Sequence, residues 1–310
     1  ETDTLLPGKS LEPALMQHLG WAFAGGLVAG PLALLCLPLL EISWDTASTF
    51  KLNRYMDLQL PLIKNLQKQA PGTYQHSMTV AYLSQVVGEA TGANSLLLRI
   101  GAYYHDIGKM ETHRNFNENQ LNAENPNDLL DPWESTELNI NHVKTGMKMA
   151  MDSGLPRAVV DLIVQHHGTH RLEYFFSLAA KDQPREIIEE TDFRYPGPKP
   201  QSTEAAILMI VDAAEAASRT MQNPTRLKFE KMVQLIVGKR IEDGQFNECD
   251  LTTRDISKIV RALVDALEVS FHSRIRYPWQ EKAAAKNSSQ WTFGSSDKDK
   301  QPQSRKSFKM

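Results

Sequence analysis

The chain has 310 residues, 41% of them hydrophobic and 23% charged, which is enough apolar material for one or two domains with a sizeable core. A net charge of -3 excludes a global positive field for nucleic acid polymers, so a small anionic ligand would need locally placed cations or metals. Two cysteines, Cys36 and Cys249, exclude a disulfide framework and a zinc knuckle and fit a reducing compartment.

Residues 1–18 read as an N-terminal segment that begins at Glu1, as if cut from something larger. Leu19 to Leu40 holds 22 residues and no charge. A hydrocarbon core of ~30 Å needs about 20 apolar residues in a helix, so a transmembrane helix is predicted over residues 19–41. Gly25, Gly26 and Gly30 suit close helix packing, and Trp21 suits an interface. A signal peptide would want a basic start and a small-residue cleavage site, and neither is clear. Pro31 and Pro38 are expected to kink the helix or end it. Lys9 is the one Lys or Arg before the span, whereas Lys51, Arg54, Lys64 and Lys68 follow it. The positive-inside rule then puts the C-terminal part in the cytoplasm, at the cell inner membrane.

Residues 42–56 read as a linker and 57–278 as a nearly all-helical domain, so the fold class is all-α. Amphipathic patterns recur in His76–Ala90, Leu96–Tyr104, Ile140–Met151, Arg157–His167, Glu204–Thr220 and Arg226–Gly238. Pro71-Gly72, Gly92, Pro126, Gly154 and Pro196-Gly197-Pro198 break them. No period-2 alternation argues for a sheet. Residues 279–310 are rich in Lys, Ser, Gln and Asp and read as a disordered tail.

The nine histidines carry the chemistry. His105 and Asp106 are adjacent, and a carboxylate with two oxygens can bridge two cations. Gly108 lets the chain turn nearby, and Lys109 offers a cation for a phosphate oxygen. His76 lies near a helix start, His142 is expected to open another helix, and His166-His167 end a third. Asp212 interrupts an apolar helix, where it is costly unless paired or bound to metal. Any one of these residues alone reads as structural, for example as a histidine complementing a helix dipole. Their joint occurrence in one helical domain points to imidazole and carboxylate ligation of Fe, Mn or Zn.

His76, His105-Asp106 and Asp212 form the H…HD…D pattern of the HD superfamily. Pro71-Gly-Thr-Tyr-Gln-His76, Gly101-Ala-Tyr-Tyr-His-Asp-Ile-Gly-Lys-Met110, Gln165-His-His-Gly-Thr169 and Asp192-Phe-Arg-Tyr-Pro-Gly-Pro-Lys-Pro-Gln201 are more specific still. With Glu242 to Asp250 and His272 to Pro278, these resemble the bacterial 7TM-HD proteins, the PgpH-type cyclic-di-AMP phosphodiesterases, over residues 20–278. The resemblance implies an HD-domain helical bundle with a dinuclear site. One metal is held by His76, His105, Asp106 and Asp212, the other by Asp106, His142, His166 and His167. Iron or manganese is the family's usual metal. It implies hydrolysis of cyclic-di-AMP to linear 5′-pApA by a hydroxide shared between the metals, with Asp106 and Lys109 as catalytic residues. Arg194 and Lys199 are candidate substrate contacts, equally readable as solvated loop cations. Glu215 and Arg219 read as an i,i+4 pair supporting Asp212. The expected partners are the cyclic dinucleotide, the bilayer and a second copy in a homodimer. The chain holds what looks like the last of the family's seven helices. Cyclic-di-GMP, an alarmone or a nucleoside triphosphate remain alternative substrates, and a non-catalytic nucleotide receptor is a reading from another class.

Overall fold

The computed structural model of the chain describes residues 13–44, 48–120, 126–182 and 187–272. The tail 279–310, residues 1–12 and part of the 42–56 linker lie outside the described residues. By its internal contacts the chain falls into Glu1–Leu267 and Glu268–Met310, and of the second unit only the end of one helix, to His272, is described.

Helix α1 (Pro13–Trp44) has 32 residues, a rise of about 48 Å. It starts earlier than Leu19 and runs through Pro31 and Pro38 without ending. Each proline removes one backbone hydrogen bond, while the apolar turns on either side keep theirs. Within it, Leu15–Cys36 has a mean hydropathy of 1.8 and no buried share, so by length and composition this helix can cross a membrane.

The remaining described helices are α2 (Thr49–Arg54), α3 (Pro61–Gln69), α4 (Pro71–Thr91), α5 (Ser95–Tyr104), α6 (Pro132–Asp152), α7 (Arg157–Gln165), α8 (Glu173–Asp182), α9 (Thr203–Arg219), α10 (Arg226–Glu242) and α11 (Thr253–His272). Among the described residues there is no strand, only an isolated bridge between Arg171 and Arg194. Short side chains mark the helix starts. Asn94 caps α5, Ser202 caps α9 and Thr225 caps α10, each accepting from a backbone N–H in the first turn. Asp131 and Glu134 form a reciprocal capping box at α6, with Pro132 at its first turn.

Helix α9 is the central post. Every residue from Ala205 to Val211 is buried, as befits a helix that is apolar all round. Helices α4, α5, α7 and α10 pack against it, and α6 packs on α7 and on the 3-10 turn Ile107–Met110. Gly108 makes that last contact feasible, because a Cβ there would stand 1.9 Å from the His142 carbonyl oxygen. Helix α11 buries Ile259, Leu263 and Leu267 along one face.

Candidate metal centre

The bundle brings together seven polar residues that are scattered over the sequence. His76 comes from α4 and His142 from α6. His105 caps the C-terminus of α5 and Asp106 follows it. His166 caps α7, with His167 next, and Asp212 projects from α9. His142 lies in the third turn of α6, not at its start, because the capping box sets the helix start at Pro132.

Local helix geometry fixes the rings. Nδ1 of His105 contacts the Ala102 carbonyl oxygen at 2.8 Å, and Nδ1 of His166 contacts that of Ile163 at 2.7 Å. Nδ1 of His142 pairs in the same way with the Asn139 carbonyl. An Nδ1–H donated to an i−3 carbonyl turns Nε2 toward the cluster, as a bare lone pair once the ring is neutral. His76 uses a carboxylate instead: its Nδ1 pairs with Glu215 Oε2, and Arg219 Nε donates to Glu215 Oε1 at 2.7 Å. The Glu215–Arg219 pair therefore supports His76 and not Asp212 as expected, since Glu215 points across to α4.

Asp106 lies between the two halves. Its Oδ2 is 3.3 Å from His105 Nε2 and 3.7 Å from His76 Nε2. Its Oδ1 is 3.4 Å from His142 Nε2 and 3.7 Å from His166 Nε2. Asp212 Oδ1 is 2.9 Å from His76 Nε2 and 3.6 Å from His105 Nε2, while Oδ2 lies 3.9 Å from His167 Nδ1. Lys109 Nζ approaches Asp106 Oδ2 to 2.7 Å and Glu118 Oε1 to 3.1 Å.

This donor set fits metal ions. The Nε2 atoms of His105, His142 and His166 and both Asp106 oxygens are buried without an aligned hydrogen bond. Orphaned polar atoms cost about 1–3 kcal/mol each when nothing satisfies them. Ligand atoms of Asp106, His142, His166 and His167 lie within 4.8 Å of one another, and so do those of His76, His105 and Asp212. Imidazole nitrogens and carboxylate oxygens at that spacing can hold divalent transition metals.

Electrostatics divide the cluster. Burial depresses His142 to about 4 and His166 to about 3, with nearby cations adding to it. His105 is also penalised by burial, yet Asp106 and Asp212 outweigh this and hold it up at about 10. Burial would raise the Asp106 carboxyl, but His105 and Lys109 hold it well below the usual carboxylate range. Lys109 is raised, because Asp106 and Glu118 overcome its burial.

A cavity of about 500 Å³ opens on the cluster, lined by His76, Lys109, His142, His167, Tyr195 and Asp212 among others. A second, of about 640 Å³, shares Lys109, Asn117, Glu118 and Asn139 with it and adds Phe116, Tyr174 and Phe175. Arg194 and Lys199 line neither cavity. The Arg194 guanidinium is engaged by Glu190, by Asp243 at 2.9 Å and by the Thr169 carbonyl oxygen at 2.8 Å. Sequence reasoning overlooked Glu118, Tyr195 and the unassigned His170, all of which line the first cavity. Tyr195 had one legible signal, its place in the run Asp192–Gln201, whereas Glu118 and His170 lie outside every run singled out.

Residues 73–217 match the HD domain family. The chain is 44% identical over 276 residues to the cyclic-di-AMP phosphodiesterase PgpH of Bacillus subtilis (strain 168), covering 89% of this chain and 38% of that one. It is 40% identical over 268 residues to the cyclic-di-AMP phosphodiesterase PgpH of Listeria monocytogenes serotype 1/2a, covering 86% and 37%. The chain thus spans well under half the length of these relatives. The crystal structure of the L. monocytogenes PgpH HD domain in complex with cyclic-di-AMP superposes with a TM-score of 0.66 at 42% identity, covering 70% of this chain and 100% of that one. A match of that identity across a whole solved domain, on a bundle that gathers the H…HD…D residues at one point, shows that the chain belongs to the PgpH family of HD-domain proteins.

Proposed function

We propose that the chain is a metal-dependent phosphodiesterase that hydrolyses cyclic-di-AMP to linear 5′-pApA and so controls a second messenger. The observation that carries this reading is Asp106, with one oxygen toward His76 and His105 and the other toward His142 and His166. A carboxylate shared in that way suits a pair of cations, as iron or manganese. His76, His105, Asp106 and Asp212 would hold one, and Asp106, His142, His166 and His167 the other. Two such cations, when bound, bring the pKa of water toward neutrality and offset charge on a phosphate. The similarity to a PgpH HD domain solved with cyclic-di-AMP supports the choice of substrate.

The chain's own residues do the rest. Water attacks phosphorus in line, the P–O3′ bond breaks, and the proton the water gives up ends on the leaving ribose 3′-oxygen as its hydroxyl. The adjoining cavities of about 500 and 640 Å³ offer room for two nucleoside halves. Lys109 is held by Asp106 and Glu118 with its ammonium over the Phe116 ring at 4.8 Å. Its raised pKa keeps it charged, which suits stabilising phosphate charge over delivering a proton. Arg194 and Lys199 are not part of this proposal. Helix α1 would anchor the chain in the cell inner membrane with residues 57–278 in the cytoplasm, since Lys51, Arg54, Lys64 and Lys68 follow the apolar window.

The test is turnover by the full chain in detergent, loaded with Mn²⁺ or Fe²⁺, on cyclic-di-AMP and cyclic-di-GMP separately. Faster conversion of cyclic-di-AMP to 5′-pApA is the expected result. No cleavage of either by protein with two bound metals would overturn the proposal.

A further inference from the structure

Tyr195 stands in the wall of the cavity over the metal cluster, and its hydroxyl has no partner among the described residues. The residue is only 5% exposed. The other buried tyrosines are satisfied: Tyr103 accepts from Arg99 Nε at 2.8 Å, and Tyr104 donates to the Tyr55 carbonyl at 3.3 Å. A buried phenol normally finds a hydrogen-bond partner, so an unpaired one facing a polar cavity points to a ligand.

Its position is closely determined. The ring lies 4.3 Å from that of His167 and 5.0 Å from that of His170, both at 32°. The backbone N–H donates to the His170 carbonyl at 3.2 Å. Next to it, Arg194 is clamped by Asp243 and by the Thr169 carbonyl, which fixes the strand-like segment carrying the phenol. Tyr195 shares the cavity wall with Lys109 and Asp212. Burial raises its pKa, with Asp106 and Asp212 adding to this against Lys109, so the hydroxyl keeps its proton at neutral pH.

We propose that the Tyr195 hydroxyl donates a hydrogen bond to a non-bridging oxygen of the bound phosphodiester. The inference rests on the proposed phosphodiesterase reading. It makes Tyr195 a substrate-contacting residue, paired with the Lys109 ammonium on the same phosphate, and gives Arg194 the task of positioning it.

The experiment compares the full metal-loaded chain with Tyr195→Phe, which keeps the ring stack and removes only the hydroxyl. Inorganic phosphate binding is measured by calorimetry, alongside metal content, Tm and cyclic-di-AMP kinetics. Expected are unchanged metal content and Tm and a loss of about 5- to 10-fold in phosphate affinity. In turnover, kcat/KM should fall about 10- to 100-fold, with KM rising by no more than the loss in phosphate affinity and the rest of the fall in kcat. Equal phosphate binding by the two proteins would overturn the inference. So would loss of metal from the variant, or a wild type that binds no phosphate. A phosphate effect in a wild type that leaves cyclic-di-AMP uncut would sink the substrate reading and leave Tyr195 as a phosphate donor. If the Phe variant proves unstable, 3-fluorotyrosine at position 195 supplies a stronger donor. It should tighten phosphate binding, and no change would count against the idea.

Discussion

Four of the five histidines in the cluster are held from behind, and His76 differs from the other three in what holds it. His105, His142 and His166 lean on carbonyls of their own helix turns, whereas His76 depends on Glu215, 139 residues away. Glu215→Gln should therefore weaken metal binding by about 10- to 100-fold while the helices stay folded. A metal titration with circular dichroism checks this, and unchanged affinity would show that His76 orients without it. The two halves should also differ in proton traffic. His105 at about 10 carries a proton at pH 7.5 that a cation must displace, whereas His142 at about 4 and His166 at about 3 are already neutral. His76 in the same half is raised as well, so affinity of the half containing His76 and His105 should rise at least roughly tenfold per unit as pH increases from 7 to 9, with the other half nearly flat. Calorimetry in buffers of different ionisation enthalpy reads the protons released, and equal release at both steps would contradict the assignment. The seven residues were legible because polar groups on apolar helices demand an explanation. Glu215 was misread because the i,i+4 spacing to Arg219 is visible in one dimension and the reach to α4 is not.

Among the elements, α4, α5, α7, α9 and α10 were legible as apolar patterns, whereas the start of α6 and the whole of α11 were passed over. The first two turns of α6, Pro132 to Asn139, are mostly polar, and only Asp131 and Glu134 reveal the start. Helix α11 was passed over although Thr252 and Asp255 bond reciprocally at its start and Ile259, Leu263 and Leu267 line one face. Most consequential is the contact between the turn Ile107–Met110 and α6. A Cβ at residue 108 would lie 1.9 Å from the His142 carbonyl and 2.5 Å from the Gly146 nitrogen, both rigid backbone. Gly108→Ala should cost about 1–3 kcal/mol and pull His142 away from Asp106. Denaturant melts and metal content should fall together. A variant with normal stability and two metals would mean that the turn can move freely.

For the whole molecule, the chemistry and the apolar anchor are separate in the chain. None of Leu15–Cys36 is buried, and the site draws only on residues from His76 to Asp212. Deleting residues 1–47 should release the protein from membranes while kcat stays within about twofold, since Leu15–Cys36 has no buried share. Flotation on liposomes and a turnover assay decide it, and a collapse in kcat would reveal that α1 shapes the site. The match to a whole solved HD domain over 70% of the chain agrees with an independently folding HD domain.

Asp106 and its six companions arrive from five helices, so each proposed cation would also be a cross-link between segments far apart in the sequence. By mass action, free metal at 100 times its Kd adds about 2.7 kcal/mol to folding per site. A chelator should accordingly lower Tm by several degrees as well as stop turnover. Scarcity of metal in the cell would then shorten the protein's lifetime, and the proposed site would tie the abundance of the chain to the supply of a cation.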